Sequence, residues 1–157
     1  MKIPRFTGVT VRTARLEERA LLEDIMRRAS LVSDSYREQL QASPEEMSVP
    51  AELFAGGTVF VAELDGVIAG FCAVAMDDPR TAELDGLFVE PELWGEGVGR
   101  QLVEHGSAAA RSLGAQTITV IAGPAARPFY ERCGFAVEAA AVTKFGPAAR
   151  MRRALGS

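Results

Sequence analysis

The chain has 157 residues, of which 48% are hydrophobic and 24% charged, and its formal net charge is −4. This length fits one domain over residues 1–157, and the composition is that of a folded globular protein rather than a disordered one. A negative balance without a basic cluster argues against nucleic acid as a partner. No signal peptide or membrane-spanning apolar run is apparent, so the sequence predicts a cytoplasmic protein without membrane contact.

The first third of the sequence predicts one strand followed by helices. Residues 9–12 alternate apolar with polar side chains, as a short strand does. Apolar side chains recur at helical spacing over residues 17–29. Capping-box patterns at Ser35 and Ser43 predict two further short helical segments, in an irregular helical region that Pro50 and the pair Gly56-Gly57 close.

The middle of the chain predicts an antiparallel pair of strands. Apolar runs at residues 59–64 and 67–74 flank Asp65-Gly66, a pair that favours a two-residue type I′ turn. A polar loop at 77–80 then leads to a third strand.

The second half predicts a strand, a helix and a strand that form one crossover unit. The strands cover residues 83–89 and 117–121, and the helix covers 98–111. A connection of this length makes a right-handed crossover, so the two strands are expected to be parallel. The helix is predicted to turn Val98, Leu102, Gly106, Ala109 and Leu113 to the sheet and Arg100, Glu104, Ser107 and Arg111 to solvent.

The end of the chain predicts a short helix and a hairpin. The helix begins at Gly123-Pro124 and ends at Gly134, where left-handed geometry is wanted. Residues 135–144 and 149–155 are predicted to pair across a turn at 145–147.

A glycine-rich turn lies between the strand at 83–89 and the long helix. Gly95, Gly97 and Gly99 leave the main chain open to a ligand and permit φ angles that gather N–H groups into one concavity. The helix start adds unpaired N–H groups and the positive end of its dipole. The turn therefore predicts a phosphate or pyrophosphate ligand. A tight strand-to-helix turn without a ligand is the alternative.

Two other phosphate-binding loops fit this turn poorly. A Walker loop is excluded because no Gly-Lys-Ser/Thr follows. A dinucleotide-binding turn has its glycines spaced G-x-G-x-x-G and an acidic residue about 20 positions further on. The sequence has Ile118, Thr119 and Val120 in that region.

Two segments resemble signatures of the GCN5-related N-acetyltransferase (GNAT) superfamily. Residues 91–99, PELWGEGVG, are similar to its acyl-CoA pyrophosphate loop, Arg/Gln-x-x-Gly-x-Gly/Ala, with Trp94 where the family usually has Arg or Gln. Residues 126–135 are similar to the ending Asn-x-x-Ala-x-x-Phe/Leu-Tyr-x-x-x-Gly-Phe, with Gly123 in place of the Asn.

The resemblance implies a fold and a cofactor. The fold is a mixed α/β (α+β) domain with a mostly antiparallel central sheet of about seven strands, helices on both faces and a splayed parallel pair at the cofactor site. The cofactor is acetyl-CoA, whose pantetheine arm would lie in the splay, and no metal is expected. The implied cofactor-binding residues are Leu87, Phe88, Val89, Gly95, Glu96, Gly97, Val98, Gly99, Arg100 and Gly123. An N–H near Leu87 or Phe88 would polarise the thioester carbonyl.

The resemblance also implies acetyl transfer to an amine. Direct transfer, without a covalent enzyme intermediate, is expected because neither Cys72 nor Cys133 has a recognisable activating partner. Tyr130 matches the tyrosine that protonates or hydrogen-bonds the leaving sulfur. A tyrosine pKa of about 10 against about 8.5 for a thiol makes full proton transfer slightly uphill, so a hydrogen bond or help from water serves equally. The alternative is that Tyr130 only packs.

The candidate bases are two carboxylates. Glu83 matches a glutamate that is the base in some superfamily members, and Asp85 projects from the same strand face, so either can take the role. The alternative is a solvated strand face. Tyr36 lies on a segment expected to cover the acceptor side, where it either shapes the amine pocket or packs.

The remaining reactive residues are expected to have structural roles. Cys72 and Cys133 fit reduced, buried thiols, and His105 fits a packing position on the long helix. The acceptor is a small-molecule or peptide amine whose identity the sequence does not give, and a homodimer is left open. A non-catalytic acyl-CoA-binding or sensor domain is the rival hypothesis, because Trp94 and Gly123 replace two cofactor-side residues. Transfer to a non-amine acceptor is a third.

Overall fold

The computed structural model of the chain describes residues 8–31, 48–143 and 146–156. The strands are β1 (Val9–Thr13), β2 (Val59–Leu64), β3 (Val67–Asp78), β4 (Thr81–Val89), β5 (Thr117–Ala122), β6 (Ala136–Thr143) and β7 (Gly146–Ala154). The helices are α1 (Arg19–Leu31), α2 (Ala51–Ala55), α3 (Val98–Ser112) and α4 (Arg127–Arg132), with single 3-10 turns at Leu16–Glu18 and Pro91–Leu93.

The described strands form one mixed sheet. Their order is β1-β2-β3-β4-β5-β7-β6. The pair β4 and β5 is parallel, and the other neighbouring pairs are antiparallel. The predicted fold class and its parallel pair are therefore confirmed.

Helices cover both faces of this sheet. Side chains alternate along a strand, so β2 turns Phe60 to the cluster that contains Leu102 of α3. Val59 and Val61 of the same strand face the opposite cluster, which contains Leu22 of α1. Two apolar layers thus hold the sheet between α3 and α4 on one face and α1 and α2 on the other.

The first hairpin has the predicted turn, but its second strand is longer than predicted. Asp65 and Gly66 have φ values of 51° and 83°, as a type I′ turn requires. Residues 77 and 78 were predicted as loop and instead belong to β3. Asp78 explains the extension, because it still pairs with Thr81 and its Oδ1 accepts the N–H groups of Arg80 and Thr81, both at 2.8 Å.

The predicted buried stripe of α3 was rotated slightly from the real one. Ser107 is 4% exposed although solvent was predicted, and Leu113 is 53% exposed although burial was predicted. The buried residues are Val98, Leu102, Val103, Gly106, Ser107 and Ala110. These positions form two adjacent rows of side chains on one face of the helix. Leu113 lies beyond the last helical residue and does not belong to that face.

The two strands of the last hairpin pair closer to their connection than predicted. Gly146 and Pro147 belong to β7 and pair with Thr143 and Val142, so a turn at 145–147 was wrong. Pro147 is tolerated there because β7 pairs with β5 only from Ala149 onward, and the missing N–H removes no bond to β5.

The ends of the helices also differ from prediction in places. The helix α4 begins at Arg127 rather than near Gly123, and it ends before Gly134, whose φ of 92° confirms the left-handed position. The helix α2 lies between Pro50 and Gly56, where the predicted irregular helical region closes, although no separate helix was predicted there. The helical segments expected at Ser35 and Ser43, together with Tyr36, lie outside the described residues. In the part of the chain that is described, no helix has both the length and the apolarity to cross a membrane.

Candidate active site

The parallel pair of strands separates after three residue pairs. Thr81, Ala82 and Glu83 of β4 pair with Thr117, Ile118 and Thr119 of β5. Beyond this point β4 continues beside β3 alone, while β5 continues beside β7. The rest of β4, residues 84–89, therefore has one edge without a neighbouring strand, and a V-shaped opening forms in the middle of the sheet.

The peptide groups that face this opening follow from the ladder geometry. The N–H of Glu90 donates to the carbonyl of Ala69 of β3 at 2.8 Å. Peptide groups in an antiparallel pair alternate between the partner strand and the other side. The N–H and C=O groups of Phe88 therefore point toward β3, whereas those of Leu87 and Val89 point into the opening. Of the two N–H groups predicted to polarise the thioester carbonyl, only that of Leu87 has the right direction.

The glycine-rich turn lies next to this edge and presents free N–H groups. Gly95 and Gly97 both have φ of 85°, and a Cβ at either position would have no atom within 4 Å. Gly97 caps α3, whose first internal hydrogen bond runs from the Gln101 N–H to the Gly97 carbonyl at 3.1 Å. Among the described residues, no protein acceptor takes the N–H groups of 98–100. This is the arrangement that binds a phosphate.

Two predicted members of the turn have other roles. The Glu96 N–H donates inward to the Leu93 carbonyl at 3.4 Å, so it is not free for a ligand. A Cβ at Gly99 would lie 3.1 Å from the ring of Phe129. The third glycine therefore makes room for α4 against α3 rather than for a ligand, a role that spacing alone does not reveal.

The two positions that depart from the superfamily pattern both make hydrogen bonds. The indole N–H of Trp94 donates to the Val89 carbonyl at 2.9 Å. The carbonyl of Gly123, directly after β5, accepts the N–H groups of Ala126 and Arg127 at 3.1 and 3.2 Å. Gly123 thus starts the turn into α4.

Tyr130 lies in the apolar cluster on the α3 face. It is 7% exposed, and its ring packs edge-on against Phe129 and Phe135 at centroid distances of 5.1 and 5.5 Å. Burial raises the pKa of Tyr130 above its usual value, and the thiols of Cys133 and Cys72 add to the effect. The hydroxyl therefore stays protonated and is a neutral hydrogen-bond donor.

Three carboxylates gather on the opposite, α1 face of the sheet. Glu83 is the last residue of β4 that pairs with β5, and Asp85 is an extra residue at a bulge between Leu84 and Gly86. The pKa of Glu83 is raised by desolvation and then by the negative charges of Asp77 and Asp85, against an opposing effect of Arg150. Desolvation and Asp77 likewise raise the pKa of Asp85.

Sequence reasoning missed Asp77 because its segment was predicted as a loop. The apolar alternation of β3, carried two residues further, would have placed Asp77 on the face of Ala75, which pairs with Glu83.

The cysteines and the histidine have packing roles. Burial raises the pKa of Cys72 to about 12, and it also raises the pKa of Cys133. Neither thiol is thus poised as a nucleophile. His105 packs edge-on against Phe60 at 4.7 Å. The described residues contain no group of three His, Cys, Asp or Glu side chains that could hold a metal ion.

Comparisons with known proteins agree with this architecture. The model of the acetyltransferase (GNAT) family matches residues 21–135. The chain therefore belongs to the GNAT acetyltransferase family.

Solved structures share the fold at low sequence identity. The PaiA N-acetyltransferase from Thermoplasma acidophilum, in complex with coenzyme A, is similar with a TM-score of 0.75 and 18% identity over 94% of this chain and 99% of that chain. YncA from Salmonella typhimurium, solved with acetyl-CoA, is similar with a TM-score of 0.70 and 21% identity over 96% of each chain. No curated protein matches the chain.

Proposed function

We propose that the chain is an acetyl-CoA-dependent N-acetyltransferase that moves the acetyl group directly to an amine. The observation that carries the proposal is the opening between β4 and β5, with outward peptide groups on one edge and a turn of free N–H groups at its end. An extended amide chain joined to a pyrophosphate has the matching chemistry. PaiA and YncA, which share the fold, were solved with coenzyme A and acetyl-CoA respectively.

The cofactor site divides into a phosphate part and an arm part. The N–H groups of Val98, Gly99 and Arg100 would hold the pyrophosphate, aided by the positive end of the α3 dipole. The outward N–H groups of Leu87 and Val89 and the outward carbonyl of Leu87 would pair with the amides of the pantetheine arm. Bound acetyl-CoA would supply an activated thioester, and the Leu87 N–H would stabilise the negative oxygen that develops on its carbonyl.

Tyr130 would act on the leaving sulfur. Its raised pKa keeps the hydroxyl protonated, so it can donate a hydrogen bond to a developing thiolate. The same raised pKa makes complete loss of the proton harder than for an exposed tyrosine. A strong hydrogen bond, or proton delivery through water, is therefore the role that the environment favours.

Glu83 and Asp85 would receive the acceptor. An alkyl ammonium has a pKa near 10, as lysine does, and must lose a proton before it attacks. The raised pKa values of both carboxylates narrow the gap to the ammonium and make them better bases. They lie on the α1 face and Tyr130 on the α3 face, so the amine would enter from one face and the sulfur would leave on the other.

Direct transfer is favoured over a covalent enzyme intermediate. A thiolate nucleophile needs a lowered pKa, and burial raises the pKa of Cys72 and Cys133 instead.

The test uses Tyr130→Phe, which keeps the packing ring and removes the hydroxyl. We expect turnover to fall about 100-fold in a thiol-release assay on a panel of amines, while calorimetry shows unchanged acetyl-CoA affinity. Unchanged turnover would remove Tyr130 from the mechanism. Wild-type protein that gives no heat with acetyl-CoA would overturn the proposal, and binding without transfer to any amine would identify a non-catalytic acyl-CoA-binding domain.

A further inference from the structure

Trp94, the one tryptophan of the chain, joins the two parts of the proposed cofactor site. It follows the 3-10 turn at Pro91–Leu93, and its main-chain N–H donates to the Pro91 carbonyl at 3.3 Å. Its side chain runs back to the end of β4, where Nε1 bonds the Val89 carbonyl at 2.9 Å. The residue is still 52% exposed. A large aromatic side chain is thus fixed at one edge of the opening and directly before Gly95.

The bond to Val89 changes what the open edge of β4 offers to a ligand. Leu87 and Val89 each direct one N–H and one C=O into the opening, as the alternation of the β3–β4 ladder requires. Trp94 occupies the Val89 carbonyl. Two N–H groups and the Leu87 carbonyl are left to pair with an extended amide chain.

This arrangement restricts how such a chain can align. A strand edge with identical repeating groups lets a partner slide by two residues without losing hydrogen bonds. The Leu87 and Val89 carbonyls would otherwise be equivalent acceptors, and the hydrogen bond from Trp94 removes the one at Val89. An amide chain that shifted toward the glycine turn would therefore leave one of its own N–H groups without a partner, which is costly in a partly desolvated site.

The end of β4 is also held by contacts that do not involve Trp94. The Glu90 main chain is bonded to Ala69 of β3. Arg28 of α1 donates to both carboxylate oxygens of Glu90, at 3.0 and 3.1 Å. Among the described residues, Trp94 is the side chain that bonds the outward carbonyl of Val89, so a substitution at Trp94 would change the open edge and leave these supports in place.

We propose that Trp94 is a positioning residue for the acyl-CoA arm, whose indole N–H caps the Val89 carbonyl and so fixes the register in which the arm pairs with β4. The inference rests on the proposed function, because it requires the arm to lie in the opening.

The test compares two substitutions at Trp94 with two ligands. Trp94→Phe keeps an aromatic ring and removes the donor, whereas Trp94→Arg keeps a donor. Calorimetry with CoA should show a roughly three- to tenfold loss of affinity for Trp94→Phe, because the bound arm would then cover a Val89 carbonyl that has no donor. CoA affinity should be close to wild type for Trp94→Arg. ADP carries the diphosphate but no arm, so its affinity should be unchanged in Trp94→Phe.

A matched control and a direct optical signal complete the experiment. Leu113→Ala removes another half-exposed apolar side chain, at the far end of α3, and should change neither affinity. In the wild-type protein, indole fluorescence should change more with CoA than with ADP, because the arm passes beside Trp94. Thermal melting of each variant would show that it is folded.

Two results would overturn the inference while leaving the proposed function intact. One is CoA binding by Trp94→Phe with wild-type affinity. The other is an equal loss of affinity for CoA and ADP, which would make Trp94 a contact of the diphosphate rather than of the arm. Absence of CoA binding to the wild-type protein would instead overturn the proposed function and this inference together.

Discussion

The two halves of β4 share one neighbour and differ in the other. Residues 81–83 pair with β3 on one side and with β5 on the other, whereas residues 84–89 pair with β3 alone. The closed half, residues 81–83, contains the buried Ala82, whose carbonyl also accepts a hydrogen bond from the hydroxyl of Thr119 at 3.4 Å. The open half, residues 84–89, presents peptide groups that would normally form hydrogen bonds with a neighbouring strand. The candidate site thus lies where backbone pairing is left incomplete inside the sheet, and a ligand with extended amide groups would complete it.

The boundary between the halves carries the acidic groups. Glu83 is the last residue of the closed half, and the bulge at Asp85 follows directly. A bulge adds a residue and redirects side chains. The end of strand pairing and the position of the candidate bases are therefore one feature of this chain.

The largest expected effect comes from Gly70→Ala, which should disrupt the pairing of the open half of β4 with β3. A Cβ at Gly70 would lie 2.7 Å from the Phe88 carbonyl oxygen, a main-chain atom of β4 that cannot rotate away. We expect a loss of about 3 kcal/mol in the free energy of unfolding, at the upper end for overpacking, measured by urea denaturation. CoA affinity should fall as well. Gly8→Ala is the control, because nothing lies within 4 Å of a Cβ there, and wild-type stability of Gly70→Ala would contradict the close approach.

A smaller effect should follow from Asp77→Asn at the boundary. The negative charge of Asp77 raises the pKa of Glu83 by disfavouring a second nearby charge. Its removal lowers that pKa, although Asp85 and Arg150 still act on Glu83. If Glu83 is the base, the acidic limb of the turnover profile should move to lower pH, measured with one amine across a pH series. Glu52→Gln on α2 removes the same charge elsewhere, and an equal shift in that variant would exclude a local effect of Asp77.

The smallest effect is expected in the closed half, with Thr119→Val. The change removes the hydroxyl that bonds the Ala82 carbonyl and nearly keeps the shape of the side chain. We expect a loss of about 1 kcal/mol in unfolding free energy and unchanged CoA affinity by calorimetry. A large loss of CoA affinity would show that the two halves are not separable.

The parts of the fold that depend on local chemistry were predictable from sequence. The turn at Asp65-Gly66 requires positive φ at both positions, and these residue types supply it. The parallel arrangement of β4 and β5 followed from the length of the helical connection. Positions set by distant neighbours were not predictable: the end of β3 depends on Asp78 meeting Thr81, and the burial of Ser107 depends on how α3 rotates over the sheet.

The candidate site divides in the same way. The turn from Gly95 to Gly97 was readable from residue type, because its φ values demand glycine. The role of Tyr130 came from a resemblance and stays a prediction, since the structure shows its packing but not a reaction. The alternation of β3 could have placed Asp77 on the right face, but its position beside Glu83 depends on the pairing of β3 with β4, and the bond between Trp94 and Val89 depends on how the turn folds back on β4.

The contact between Gly99 and Phe129 links the two segments that resemble the superfamily. One lies at the start of α3 and the other in α4, yet the absent side chain of the first provides the space for the ring of the second. Positions 99 and 129 consequently share a single volume. Engineering that exchanges the glycine turn with that of another protein would have to transplant position 129 with it, because side-chain bulk can be redistributed between the two sites but not added to either.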